Sequence, residues 1–307
     1  GRGEILFEKE RERLKSIYYL TLQANLKQLD LLKRILNAFN SERLPAVVLQ
    51  GLSLLVDLYE DPGVRPVSDI DLWVLPGGLD RASALLHGLG FGSTRLYPRL
   101  FRKGELLIDL RTQLLGAERI PARRFLMKTD QQSIFENCRR LVYEGCELRC
   151  LNPSDQAIYL AMHAVKHNLE RLVWLADLRR LAVEWTPLDW DAFKARAVEL
   201  GQPRVPAVTG YLLAMLSGGE IPAPPKVHSE LSALEKHLLR MRRRGPLPKW
   251  SSLLLLRAGS GLEQAEFALE SIFPRPDVLR QVFAGRAELK VWQLYTLRVR
   301  QLLGMLR

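Results

Sequence analysis

The sequence lacks the features that mark membrane proteins, zinc fingers and disulfide-rich proteins. It has no uninterrupted run of the roughly 18 apolar residues that cross a bilayer, and its start, Gly1 to Glu4, has no apolar signal core. Its cysteines, Cys138, Cys146 and Cys150, show no CxxC spacing and have no histidine close by, so we expect neither a zinc site nor disulfides. We therefore expect a soluble, cytoplasmic protein with reduced cysteines.

Length and charge indicate the number of domains and the kind of partner that the protein binds. The chain has 307 residues, of which 47% are hydrophobic, which is enough for two compact domains. A net charge of +11, from 45 basic and 34 acidic residues, favours an anionic partner such as a nucleotide, a nucleic acid or an acidic surface. The charge alone does not choose among these partners.

The first half of the chain mixes helical and strand patterns. Apolar residues recur every three or four positions between Glu8 and Asn40, which predicts one long or two short amphipathic helices. Short β-branched runs bounded by glycine and proline then alternate with helical segments. The predicted strands are Ala46–Leu49, Ile70–Leu75, Arg95–Phe101, Leu106–Leu110, Leu141–Tyr143 and Cys146–Cys150, and the predicted helices between them are Leu52–Tyr59 and Leu79–Leu89.

The pattern becomes helical after residue 151. Asn152 followed by Pro153 is typical of a helix start, and nearly all of the remaining chain has helical periodicity. The proline-rich stretch Ile221–Pro225 predicts a stiff linker within this half. We therefore predict an α+β fold, with a mixed sheet and helices over residues 1–150 and an all-helical domain over residues 151–307.

Three aspartates in predicted strands form the candidate catalytic set. Asp69 and Asp71 stand two residues apart, so their side chains leave the same face of a strand and can converge on one cation. Asp109 is a lone carboxylate inside another apolar strand. Carboxylates suit a hard divalent ion such as Mg²⁺, and two ions roughly 3.5 to 4 Å apart would hold a triphosphate and activate an acceptor hydroxyl. Asp109 would contact the second ion and accept the hydroxyl proton.

A phosphate-binding segment is predicted where the first strand gives way to a helix. Gly51 and Ser53 lie there, and the positive end of the helix dipole, the free amides and the Ser53 hydroxyl favour phosphate. Arg65 is a further candidate for phosphate oxygens. For Ser53 the alternative is an ordinary serine in the first turn of a helix, and for Arg65 it is a surface salt bridge.

His163 and His167 form the candidate site of the helical half. They stand four residues apart on one helical face, a spacing that can bind a metal, but the glutamate of a HExxH motif is missing and zinc is not expected. A packed or capping histidine pair is the alternative.

These motifs resemble the uncharacterised bacterial branch of the nucleotidyltransferase superfamily, which shares the fold of DNA polymerase beta and of antibiotic nucleotidyltransferases. The likeness spans most of the chain. It implies that Ser68 and Arg111 join Gly51, Ser53 and Arg65 in binding nucleotide, and that the two histidines line the cleft between the halves. The segments that carry it are Gly51–Ser53, Arg65–Leu72, Ile108–Leu110, Asn152–Asp155, His163, His167, Trp174–Leu178 and, less specifically, Phe273–Pro276.

The resemblance implies a nucleotidyltransferase that uses a nucleoside triphosphate and Mg²⁺ and transfers the nucleotide to an unknown hydroxyl acceptor. Family members usually carry lysine where this chain has Gln50, and often histidine where it has Arg111. These departures motivate an alternative, a degenerate protein that binds nucleotide or a partner without catalysis. The basic helical half leaves an RNA-directed transferase as a third hypothesis, although no aromatic-rich basic motif of a known RNA module is present.

Overall fold

The computed structural model describes residues 2–128, 130–216 and 230–304. The predicted linker, Ile221–Pro225, lies outside these residues.

The chain divides into two compact units. The first comprises Gly1–Thr112 and Cys138–Cys150, and the second comprises Gln113–Asn137 and Leu151–Arg307. The sequence analysis assigned all of residues 1–150 to the first domain, whereas in the structure Gln113–Asn137 belongs to the helical unit.

A six-stranded mixed sheet forms the centre of the first unit, with strand order β3-β4-β2-β1-β6-β5. The pairs β2–β4 and β1–β6 are parallel, and the other neighbouring pairs are antiparallel. The predicted α+β class with a mixed sheet is confirmed. The elements are α1 (Arg2–Ser41), β1 (Val47–Leu49), α2 (Gln50–Leu58), β2 (Ile70–Trp73), α3 (Leu79–Gly88), β3 (Leu100–Lys103), β4 (Leu106–Arg111), β5 (Arg139–Tyr143) and β6 (Cys146–Cys150).

The core of this unit forms between α1 and the sheet. The second half of α1 buries leucine, isoleucine and phenylalanine at the three- and four-residue spacing that the sequence shows, because this spacing places them on one helix face. They share one apolar cluster with residues from β1, β2 and β4, so the helix fixes the central strands in place. The buried residues include Leu29, Leu32, Ile35, Leu36 and Phe39 of the helix and Val48, Leu72, Ile108 and Leu110 of the strands.

One predicted strand begins later than expected. The segment predicted as Arg95–Phe101 begins with a turn, in which the Tyr97 amide donates to the carbonyl and the hydroxyl of Thr94 at 3.0 and 3.1 Å. Strand β3 starts at Leu100, and Pro98 within the predicted segment has no amide hydrogen to donate to a sheet.

The second unit is helical in its described residues. Pro153 starts α5 as predicted, but the Asn152 side chain donates to the Asn137 carbonyl instead of capping the helix. Of the described helices, none is long and apolar enough to cross a membrane. The α-helices are α4 (Gln131–Glu136), α5 (Pro153–Lys166), α6 (Leu172–Ala182), α7 (Pro187–Glu199), α8 (Val205–Leu216), α9 (Ala233–Met241), α10 (Ser251–Leu255), α11 (Gly261–Ile272), α12 (Pro276–Val282) and α13 (Val291–Leu302).

Candidate active site

The parallel pairing of β2 with β4 brings two of the three predicted aspartates together. Asp71 lies directly opposite Asp109 in the register of the two strands. Opposite residues of a parallel pair point to the same face, so their carboxylates are neighbours. Two adjacent like charges repel each other unless a positive group lies between them.

That positive group is Arg111. It stands two residues after Asp109 on β4 and therefore on the same face, and its Nη2 donates to Asp71 Oδ1 at 2.6 Å and to Asp109 Oδ2 at 2.7 Å. The side chains of Arg111 and Asp71 are only 11% and 7% exposed, whereas that of Asp109 is 35% exposed. Asp109 is thus the carboxylate of the pair that solvent can reach.

Asp69 lies just before β2 and is partly exposed. Its Oδ1 accepts a hydrogen bond of 2.6 Å from the hydroxyl of Ser68, which is exposed. Side chains alternate along an extended segment, so Asp69, two residues before Asp71, lies on the same side of the chain. The predicted pair therefore has one buried and one accessible member.

The junction of β1 and α2 lies beside these carboxylates, because Leu49 at the end of β1 is paired with Asp71. Leu49 is the N-cap residue of α2 and provides no side-chain hydrogen bond to the helix start. Gln50 adopts a left-handed conformation with φ of 50°, a strained geometry for a residue other than glycine that is common at functional sites. The chain therefore turns sharply into a helix whose N-cap residue gives the first amides no side-chain hydrogen bond.

Ser53 is buried in the first turn of α2, and its hydroxyl donates to the Gln50 carbonyl at 2.9 Å. It is thus not the N-cap of this helix. Its position one turn into the helix keeps open the predicted role in phosphate binding.

Arg65 lies close to the same helix start. A Cβ added to Gly51 would come within 2.8 Å of the Val67 side chain and 3.4 Å of Arg65 Nη1, so only glycine fits there without a shift of its neighbours. Arg65 is 4% exposed, which excludes the surface salt bridge that the sequence allowed. The structure thus puts a buried positive charge beside the predicted phosphate segment.

The carboxylates can be tested for their fit to magnesium. Among the described residues, no group of three or more histidine, cysteine, aspartate or glutamate side chains forms a metal cluster. Asp71 and Asp109 nevertheless provide hard oxygen donors that already converge on one cationic nitrogen, and Asp69 stands on the same side of β2. The donor chemistry fits Mg²⁺, provided that Arg111 yields its place between the two carboxylates.

His163 and His167 belong to an aromatic cluster of the second unit. His163 is 5% exposed, and its ring lies 4.6 Å from that of His167, 5.0 Å from that of Trp174 and 6.0 Å from that of Tyr159. These contacts are those of a packed histidine pair. Their predicted role in binding nucleotide or acceptor stays a prediction.

The cysteines are free thiols, as the sequence analysis expected. Burial raises the pKa of Cys150 to about 11 and also raises that of Cys146, so both stay protonated at neutral pH.

The sequence analysis missed two kinds of residue at this site. It expected Arg111 to bind nucleotide, which stays a prediction, but it did not foresee that the guanidinium bonds to the two aspartates; the i, i+2 spacing from Asp109 was the available signal. It also missed two buried amides of α1, Asn25 and Gln28, which contact the loop that carries Arg65. The signal for them in the sequence was the presence of two polar side chains on an otherwise apolar helix face.

Two solved structures of the antibiotic-resistance factor ANT(2'')-Ia are weakly similar. Its solution structure is 18% identical, covers 56% of this chain and 91% of that chain, and has a TM-score of 0.42. Its crystal structure with adenylyl-2''-tobramycin is 20% identical, covers 55% and 98%, and has a TM-score of 0.41. None of the curated proteins matches.

The family assignment rests on a sequence model described as uncharacterised nucleotidyltransferase, which matches residues 3–216. The match includes β1 to β6, the three aspartates and the histidine pair. The chain belongs to this nucleotidyltransferase family.

Proposed function

We propose that the chain transfers a nucleoside monophosphate from a magnesium-bound nucleoside triphosphate to a hydroxyl acceptor. The acceptor oxygen forms a bond to the α-phosphorus, and the bond between that phosphorus and the bridging oxygen to the β-phosphate breaks. Pyrophosphate leaves with the bonding electrons, and the hydroxyl proton goes to Asp109. The observation that carries the proposal is the pairing of Asp71 with Asp109 beside the start of α2.

The triphosphate binds at the start of α2 in this proposal. The first turn of the helix supplies amide groups and the positive end of its dipole, and Gly51 lets Val67 and Arg65 pack closely against it. Arg65, buried beside Gly51, supplies a full positive charge that lysine supplies in other family members. Two hydroxyl groups add further donors, that of Ser53 in the first turn of α2 and that of Ser68 in the loop before β2.

The aspartates divide the remaining work. Asp69, Asp71 and Asp109 would hold Mg²⁺, which when bound would neutralise phosphate charge and lower the pKa of the acceptor hydroxyl, and three carboxylates suit two ions. Asp109 is the most suitable proton acceptor of the buried pair because its carboxylate is partly exposed. Arg111 keeps the carboxylate pair together before substrate arrives.

The test is calorimetric titration of ATP, GTP, CTP and UTP, each with MgCl₂, into the wild type and into Asp71→Asn. The substitution keeps the shape of the side chain and removes one charge. We expect the wild type to bind one or more nucleotides and Asp71→Asn to lose the magnesium-dependent part of the binding. Asp80→Asn, the same change at an exposed position of α3, is the matched control and should bind as the wild type does.

The outcomes of this titration distinguish an active enzyme from a protein that binds nucleotide or a partner without catalysis, the alternative that Gln50 and Arg111 suggest. If the wild type binds no nucleotide with magnesium, the proposed function is wrong. Binding without release of pyrophosphate, when hydroxyl acceptors of small-molecule and RNA type are added, favours a nucleotide-binding partner protein.

A further inference from the structure

The loop between α2 and β2 carries three residues of the candidate site, Arg65, Ser68 and Asp69, but has no helix or strand of its own. A loop without regular structure fixes its side chains only when other parts of the protein satisfy its backbone groups. Side chains of α1 satisfy part of the backbone of residues 61–69.

Asn25 binds this backbone at three points. Its Nδ2 donates to the carbonyls of Pro62 and Arg65 at 2.6 and 2.7 Å, and its Oδ1 accepts from the Val67 amide at 3.2 Å. The residue is completely buried. Both amide hydrogens and the amide oxygen are thus directed at the loop, on either side of Arg65.

Two further side chains of α1 extend this contact along the same helix face. The Gln28 amide, one turn after Asn25, donates to the Val67 carbonyl at 2.8 Å. The Tyr18 hydroxyl, two turns before it, bonds to the Asp61 carboxylate at 3.1 and 3.3 Å. The Tyr18 ring lies against Gly63, where any side chain would overlap with it.

Packing of the helix alone does not explain Asn25. It lies one turn before Leu29 and two turns before Leu32, on the buried face of α1, where an apolar residue would pack without any cost of burying an amide. A buried amide stabilises the fold only when its hydrogen bonds are made, and every bond that Asn25 makes goes to the loop.

We infer that Asn25, assisted by Gln28, is a positioning residue that sets Arg65 and Asp69 relative to the start of α2. The inference rests on the proposed function, because it concerns the binding of the same triphosphate. Asn25 holds the carbonyl of Arg65 while the guanidinium of Arg65 reaches Gly51. Through Val67, the two amides also fix the chain two residues before Asp69.

The test uses the full chain with Asn25→Asp. This change keeps the oxygen that accepts from Val67 and replaces the donating group with an acceptor that faces two carbonyls. Gln23→Glu is the matched control, since it makes the same chemical change at an exposed position of the same helix. Gln28→Glu is a milder second variant, with one hydrogen bond to the loop, in case Asn25→Asp fails to fold.

Two measurements are made on each variant. Amide hydrogen exchange without nucleotide should become at least about tenfold faster in residues 61–69 of Asn25→Asp, with no change in β4 and β6. The dissociation constant for magnesium-ATP should rise at least about tenfold. Gln23→Glu should change neither, and Gln28→Glu should change both in the same direction to a smaller extent.

The two measurements also distinguish the ways to fail. Exchange that stays unchanged in residues 61–69, or that rises equally in the whole sheet, overturns the inference, since the effect is then absent or global. Faster loop exchange with unchanged affinity for magnesium-ATP also overturns it. If the wild type itself binds no nucleotide, it is the proposed function that has failed, and the exchange measurement alone decides whether α1 fixes the loop.

Discussion

Each unit of the molecule buries an aspartate that is bound by an arginine, but the two arginines hold their carboxylates differently. In the second unit, Asp155 of α5 accepts two hydrogen bonds from Arg196 of α7, at 2.6 and 3.2 Å, and a different nitrogen of Arg196 donates to the exposed Glu199 at 2.9 Å. In the first unit, a single nitrogen of Arg111 donates to both Asp71 and Asp109. Oxygens of two carboxylates therefore converge on one point, as they would on a divalent cation.

The starts of three helices in the second unit differ from the start of α2. The three helices α7, α9 and α11 each begin with a capping box, in which a serine or threonine and an acidic residue satisfy the first amides. In the first unit the N-cap residue of α2, Leu49, gives the helix no side-chain hydrogen bond. The three helix starts are stabilised by their own side chains, whereas the start of α2 lies beside the carboxylates of β2 and β4.

Asp155→Ala should have the largest effect on stability and none on nucleotide binding. Removal of Asp155 leaves Arg196 with only the exposed Glu199 as its partner, and we expect a loss of about 3 kcal/mol in the free energy of unfolding. Urea unfolding measures the loss, and calorimetry checks that magnesium-ATP still binds. Asp191→Ala, which breaks an exposed pair with Lys194 on α7, should cost less than about 0.5 kcal/mol. A loss of ATP binding in Asp155→Ala would contradict the separation of roles.

Arg111→His should strengthen metal binding. Without the guanidinium between Asp71 and Asp109, a divalent ion no longer competes with a resident cation, and we expect the affinity for Mn²⁺ to rise about tenfold, or ~1.4 kcal/mol. Manganese titration followed by electron paramagnetic resonance measures this change. The control is Arg102→His on the exposed edge of β3. Equal or weaker binding of Mn²⁺ by Arg111→His would mean that the arginine does not compete with metal.

Two serines near helix starts give the smallest effects and the sharpest contrast. Ser232→Ala removes the capping box of α9 and should lower the free energy of unfolding by about 1 kcal/mol without any change in ATP affinity. Ser53→Ala should weaken magnesium-ATP binding about fivefold, the equivalent of one hydrogen bond, and destabilise the protein less than Ser232→Ala does. Thermal unfolding and calorimetry on both variants test the pair, and the reverse order of effects would place Ser53 among the structural serines.

The sequence predicted those parts of the site that depend on local pattern. Apolar runs located β1, β2 and β4, and the spacing of Asp69 and Asp71 placed them on one face before any contact was known. The partner of a charged side chain in a sheet depends on the register of neighbouring strands, which cannot be read from a single sequence. The position of Arg111 between two aspartates was therefore not predicted.

Long-range polar contacts were missed for a related reason. Leucines dominate the face of α1 that holds Asn25 and Gln28, so the apolar period was recognised and the amides were not. Their partners lie about forty positions away in the chain. The turn at Thr94 to Tyr97 was missed because alternating side chains suggested a strand, while Pro98 and the threonine hydroxyl favoured a turn.

The register of β2 against β4 has a further consequence, for the fidelity of folding. A slip of one residue would place Asp71 opposite Ile108 or Leu110 and turn a carboxylate toward the apolar cluster beneath the sheet. The cost of a buried, unpaired charge makes such a pairing unstable. A chain that has folded stably has therefore already aligned its two aspartates. The free energy that favours the correct strand register also sets the geometry of the candidate site.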